Sequence, residues 1–155
     1  MPIQVGQEAP EIELPLSDDP STKFKLSDHK EKNPVVILFF PLAWTGICTQ
    51  QMCDTRDSLA RYESLGAKVV AISVDSPFAL AKFKAEQGIN FALASDFNRA
   101  ASKAYGCLYD NLLGFEGVSK RSAFVIGKNG KVLFAEVNDD PKQVPSIDSI
   151  AKALA

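Results

Sequence analysis

Cys48 and Cys53 stand five positions apart in PLAWTGICTQQMC, directly after the apolar run VVILFF, with Pro41 and Thr45 just ahead of them. Such a pair can be a metal clip, a structural crosslink, buried packing or a reacting centre. A cysteine attacks only as its thiolate. That form is favoured where a helix begins, because unpaired backbone N–H groups and the positive end of the helix dipole face it. Thr45 is an N-cap residue type one helical turn before Cys48, placed so that its hydroxyl can hydrogen-bond the sulfur or a substrate oxygen. Pro41 would end the strand and keep water and backbone donors from one side. The same residues also fit a small buried hydrophobe, a plain cap and a strand terminator. Local chemistry leaves both readings open.

The other chemistries are weaker. One C-x-x-x-x-C pair, the distant Cys107 and the single His29 in SDHKEKN make a poor tetrahedral zinc set. A cysteine hydrolase needs a histidine base beside the thiol, and His29 lies in a charged, loop-like segment. No C-x-x-C motif of a disulfide reductase occurs. Cys107, after Gly106 in AYGCLYD, begins a possible strand and reads first as a packing residue.

The elements around these residues follow from periodicity. NPVVILFFP, bounded by prolines, predicts a buried strand over 35–40. Thr45 then opens a helix over 46–65, with small or apolar residues at Cys48, Met52, Thr55, Leu59 and Tyr62 and a stop at Gly66. AKVVAISVD predicts a second strand over 67–75, and Ser76-Pro77 the cap and first turn of a helix ending near Gly88. A short strand around Phe91–Ala94 and a helix from Phe97 to Tyr105 come next, then the loop-rich CLYDNLLGFEGVSK. SAFVIG and KVLFAEV flank Lys128-Asn129-Gly130, whose Asn-Gly is a tight-hairpin signal, and Ile147, Ile150, Ala151 and Leu154 mark one face of a last helix. Alternating βα units, a hairpin and a terminal helix predict an α/β protein with a central mixed sheet and helices on both faces.

The whole chain is consistent with this. Its 155 residues predict one domain over 1–155, and 46% hydrophobic with 23% charged residues is a soluble, globular balance. A net charge of −2 with dispersed lysines argues against nucleic acid as a partner. The start MPIQVGQEAPEIEL has neither a basic segment nor an apolar core, and Val35–Trp44 is too short to span a bilayer. These features, with an odd and small number of cysteines, predict a cytoplasmic protein without membrane contact.

FFPLAWTGIC carries P-x-x-x-T-x-x-C as Pro41, Thr45 and Cys48, and so resembles the active-site signature of the peroxiredoxins. The similarity extends from VGQEAPEIEL through SDFNRAASKAYG to RSAFVIGKNGKVLFAE, and is strongest to the AhpE-type and PrxQ-type (bacterioferritin comigratory) members. It implies a thioredoxin-like fold with an N-terminal β extension. It also implies thiol-dependent reduction of hydrogen peroxide and organic hydroperoxides without metal or organic cofactor, and a thioredoxin- or glutaredoxin-like reductant. The protein would be a monomer or a homodimer. By position the resemblance implies Cys48 as peroxidatic cysteine, Thr45 orienting the peroxide, Pro41 as shield and Arg121 as catalytic arginine. Many members carry glutamate three residues after the reacting cysteine; here it is Gln51. Cys53 matches the resolving cysteine of PrxQ-type enzymes, with Cys107 as the backup.

Geometry adds a condition to that pairing. Five residues apart on an ideal helix, two Cα atoms are roughly 8.5 Å apart and about 140° around the axis, beyond the roughly 7 Å that a disulfide spans. The helix start must unwind for the bond to form. The competing function is a peroxide sensor or holdase chaperone in which oxidation of Cys48 switches a binding surface.

Overall fold

All five residues of VVILF, Val35–Phe39, are buried, as expected for a β-branched and aromatic strand covered on both faces. The computed structural model of the chain describes residues 2–155. There β1 (Glu13–Pro15) and β2 (Lys23–Lys25) form a small antiparallel ribbon. The strands β3 (Val35–Phe39), β4 (Lys68–Ser73), β5 (Ala92–Ser95), β6 (Arg121–Ile126) and β7 (Val132–Asn138) form the main sheet in the order β5-β4-β3-β6-β7. β3, β4 and β5 run parallel, while β6 is antiparallel to both β3 and β7. The sheet is therefore mixed, with the ribbon as its N-terminal extension.

Side-chain alternation along the strands separates two apolar layers. Val36, Leu38 and Phe40 face the layer containing Cys48 and Met52 of α1 (Gly46–Asp57), Tyr62 of α2 (Leu59–Ser64), Phe83 of α3 (Pro77–Gln87) and Ile150 of α5 (Ile147–Leu154). Val35, Ile37 and Phe39 face the other layer, with Ala101 of α4 (Ala100–Ala104), Tyr105 and Cys107. Phe39 is fully buried there, edge-on to Phe124 at 5.9 Å and tilted against Tyr105 at 5.7 Å. Truncating such a side chain loses transfer energy and leaves a cavity, so Phe39→Ala should cost about 3–5 kcal/mol, measured by urea unfolding of the reduced protein. No helix among the described residues is long and apolar enough to cross a membrane.

Three expected elements differ in detail. The helix over 46–65 is two, α1 and α2, joined at Ser58, whose N–H bonds both Asp54 and Thr55 carbonyls. Thr55 Oγ1 also donates to the Gln51 carbonyl at 2.9 Å, a back-bond that bends helices. The helix expected from Phe97 starts only at Ala100, because the Asp96 carboxylate accepts from the Ala101 and Ser102 N–H groups and 97–99 become its loop, with Arg99 at φ 66°. The hairpin loop spans 127–131, one residue longer at each side than the expected Lys128-Asn129-Gly130; only Gly130 of its Asn-Gly pair takes positive φ, 82°, while Asn129 Oδ1 accepts from the Lys131 N–H. Longer hairpin loops commonly end on such a left-handed glycine.

Candidate active site

The β3-to-α1 connection brings Cys48 to the C-terminal end of the central strand. Pro41 is buried two residues after its end, and the loop Leu42–Thr45 turns the chain into the helix. Trp44 holds that turn at φ 73°, a left-handed conformation uncommon outside glycine, with its ring edge-on to Phe83 at 5.2 Å. The Asp75 carboxylate, just past β4, accepts from the Ala43 N–H at 2.8 Å and from the Ser73 hydroxyl at 2.6 Å, pinning the loop to the sheet. Thr49 is the first α1 residue whose N–H reaches a carbonyl, that of Thr45, so the N–H groups of Gly46, Ile47 and Cys48 face out of the helix start.

Thr45 occupies the N-cap, but its hydroxyl does not cap the helix; Oγ1 donates to the Leu42 carbonyl at 2.9 Å. Of its two expected partners, the sulfur and a substrate oxygen, the hydroxyl makes no bond to the sulfur. Its proton is engaged in the loop and its lone pairs remain open to a donor.

Arg121 reaches the same place from the first residue of β6, across 73 positions of sequence. It is 2% exposed, and each of its three nitrogens has an acceptor. Nε donates to the Pro141 carbonyl at 2.8 Å, Nη1 to Gln51 Oε1 at 2.6 Å and Nη2 to Cys48 Sγ at 2.9 Å. Gln51, one turn after Cys48 on the same helix face, thus orients the guanidinium with a neutral amide. Cys48 is itself 1% exposed. The arrangement presents a polarisable sulfur to a fixed cation and to helix-start N–H groups, and so can stabilise negative charge on sulfur or on an oxygen beside it.

The remaining cysteines are elsewhere, and all three are free thiols. Cys53 is half-buried and faces α3, with Sγ 3.7 Å from Gln87 Oε1. Cys107 is fully buried in the layer on the opposite side of the sheet from Cys48. It lies in an isolated pairing segment beside the bridge between Leu108 and Ser119, not in a strand. Burial pushes its thiol up to about 12, the Ser122 hydrogen bond only partly opposing that. It should stay protonated and unlabelled when native protein is treated with iodoacetamide at about pH 8, and react only after denaturation, as peptide mapping would show. His29 stacks on Phe24 and contacts Asn33. Among the described residues no group of three or more His, Cys, Asp or Glu side chains is arranged to hold a metal ion.

Residues 5–135 match the family model described as the AhpC/TSA family. The peroxiredoxin Bcp of Bacillus subtilis is 33% identical over 160 residues, covering 99% of this chain and 94% of the relative. Alkyl hydroperoxide reductase E of Mycobacterium tuberculosis is 33% identical over 137 residues, 87% of this chain and 86% of that protein. Among solved structures, peroxidoxin BcpB from Mycobacterium tuberculosis superposes with a TM-score of 0.82 at 31% identity, over 98% of this chain and 94% of that one. Peroxiredoxin Q of Xanthomonas campestris gives 0.78 at 29% identity, over 92% and 89%.

Proposed function

The chain belongs to the AhpC/TSA family of peroxiredoxins, and from that premise we propose that it reduces hydroperoxides at Cys48, resolves the product with Cys53 and is recycled by a thioredoxin- or glutaredoxin-like dithiol. The observation that carries this reading is the bond from Arg121 Nη2 to Cys48 Sγ at 2.9 Å. The Cys48 thiolate attacks the terminal oxygen of ROOH. The S–O bond forms as the O–O bond breaks, sulfur loses two electrons, and the departing alkoxide takes a proton from water to leave as ROH. Arg121 and the helix-start N–H groups meet the charge that moves from sulfur to the leaving oxygen. Thr45 orients the peroxide by accepting its O–H, its own proton being held by Leu42. Pro41 closes the side toward β3. Exposed Trp44 and Ile47 on the same loop and helix start offer apolar surface to the R group of an organic hydroperoxide.

Cys48 is then a sulfenic acid. Its condensation with the Cys53 thiol forms the S–S bond and releases water. Because the two cysteines lie on different sides of α1, its first turns must open. That start is weak: it begins with glycine, the poorest helix former after proline, and lacks a side-chain cap worth about 1 kcal/mol. We expect oxidised wild-type protein to lose helical circular dichroism and oxidised Cys53→Ser protein to keep it; equal loss in both would remove the unwinding step.

Peroxide consumption in the presence of NADPH, thioredoxin reductase and thioredoxin tests the reading. Turnover far beyond one equivalent per protein is expected. A single stoichiometric oxidation that then stops would favour the sensor or holdase.

A further inference from the structure

Residues 139–146 connect β7 to α5 as an irregular segment, exposed over most of its length. Yet this strap supplies the Pro141 carbonyl that accepts from Arg121 Nε at 2.8 Å. An acceptor on an exposed, irregular segment aims a guanidinium only if the segment is itself held. The Gln143 and Lys142 N–H groups turn back onto Asp140, and Asn138 Nδ2 donates to the Gln143 carbonyl at 3.1 Å, all contacts of the strap with itself and the end of β7. Two side chains from a different part of the chain tie its start to the body. Lys120 Nζ pairs with Asp139 Oδ1 at 2.8 Å, and the Tyr109 hydroxyl donates to the Asp139 carbonyl. The two ties differ in weight. The Asp139 carboxylate is largely exposed, and an ion pair in solvent contributes little. Tyr109 is buried in a cluster with Val74 and Val118, and burial pushes its hydroxyl above the ordinary phenol value, so it stays a donor at neutral pH. Leu42, whose carbonyl takes the Thr45 proton, packs against the same cluster.

We propose that Tyr109 is a positioning residue for the reaction at Cys48: its hydroxyl fixes Asp139, and two residues on the Pro141 carbonyl, so that Arg121 keeps Nη2 on the sulfur. The proposal rests on peroxide reduction at Cys48 as proposed above, and concerns the reduced protein before α1 opens. The Tyr109 proton is engaged by Asp139, so this side chain acts through Arg121 and not on the peroxide. Without the hydroxyl, the start of the strap is released on its buried side and Nε loses a fixed acceptor. The guanidinium then spends less time aimed at the sulfur and at the oxygen that leaves it, where a donor counts only if it is preorganised.

The test mixes reduced protein rapidly with hydrogen peroxide and follows oxidation by Trp44 fluorescence, in wild type, Tyr109→Phe, Arg121→Met and the double variant. Phenylalanine keeps the ring in its cluster, so the variant folds. Loss of one hydrogen bond should slow oxidation about three- to tenfold in Tyr109→Phe protein. In the Arg121→Met background the same substitution should change the rate by less than about twofold, because no guanidinium is left to aim. Asp139→Ala removes the partner of Lys120 but keeps the carbonyl, and should stay within about twofold of wild type. A Tyr109→Phe rate within about twofold of wild type, an equal slowing in both backgrounds, or a slowing in Asp139→Ala as large as in Tyr109→Phe overturns the proposal. Failure of the peroxidase reading would be seen separately, as Cys48 left reduced by peroxide in wild-type protein. The same four proteins then decide by urea unfolding in the reduced state. Tyr109→Phe should raise the unfolding equilibrium constant at least about threefold more with Arg121 present than in the Arg121→Met background. Equal effects in the two backgrounds overturn the assigned role of Tyr109.

Discussion

Cys48→Ser is expected to abolish peroxide turnover while Cys107→Ser retains it, measured as NADPH oxidation with a thioredoxin system. A serine hydroxyl at the start of α1 stays protonated at neutral pH and lacks the polarisable lone pairs that attack peroxide oxygen. The variant should still fold, since serine is close in size to the cysteine it replaces in the apolar layer, but with reduced stability, because Arg121 keeps its buried position and loses the sulfur it bonds. Cys107 cannot substitute: the sheet separates it from Arg121 and α1, and burial holds its thiol protonated. A serine at position 48 that left turnover intact would displace the reaction from this site.

Arg121→Met is expected to lower kcat/KM for hydrogen peroxide by ~10²–10³-fold, as loss of one preorganised donor to a developing oxyanion does. The side chain is buried and makes three fixed hydrogen bonds, so no solvent-exposed cation can take its place. Arg121→Lys should recover little of the loss, because one ammonium cannot reach Pro141, Gln51 and Cys48 from a single point. The effect should appear in the oxidation step, followed by Trp44 fluorescence under single-turnover conditions. A solvated cation with no part in the reaction would lose less than about threefold on substitution.

Much of this was legible in the sequence where the signal is local. VVILFF between prolines is a buried strand, Thr45-Gly46 opens a helix, Ser76-Pro77 opens the next with the Ser76 hydroxyl accepting from the Ala79 N–H, and Ile150 and Ala151 are the buried face of the last. Cys48 and Arg121, 73 positions apart, were paired by resemblance, and no periodicity connects them. What sequence reasoning missed depends on chain segments that meet only after folding. Asp75 reads as the last residue of a strand, yet its carboxylate holds the loop before Cys48 through the Ala43 N–H, 32 positions away. The Pro141 carbonyl, which orients Arg121, gives no sequence signal, because every residue has a carbonyl. Gln51 stood out as a departure from glutamate, but which amide atom meets the guanidinium follows only from the face of α1 it shares with Cys48. The break at Ser58 was hidden because Leu59 and Tyr62 continue the apolar spacing across it.

The central claim is that peroxide oxidises Cys48 and that Cys53 then closes on it. Intact mass and peptide mapping after one equivalent of hydrogen peroxide, on wild type and Cys53→Ser protein, test it most directly. Wild type should lose the mass of two hydrogens, with Cys48 and Cys53 joined in one disulfide, and Cys53→Ser protein should gain one oxygen on Cys48. Oxygen retained on any other residue, or a disulfide containing Cys107 in either protein, would contradict it.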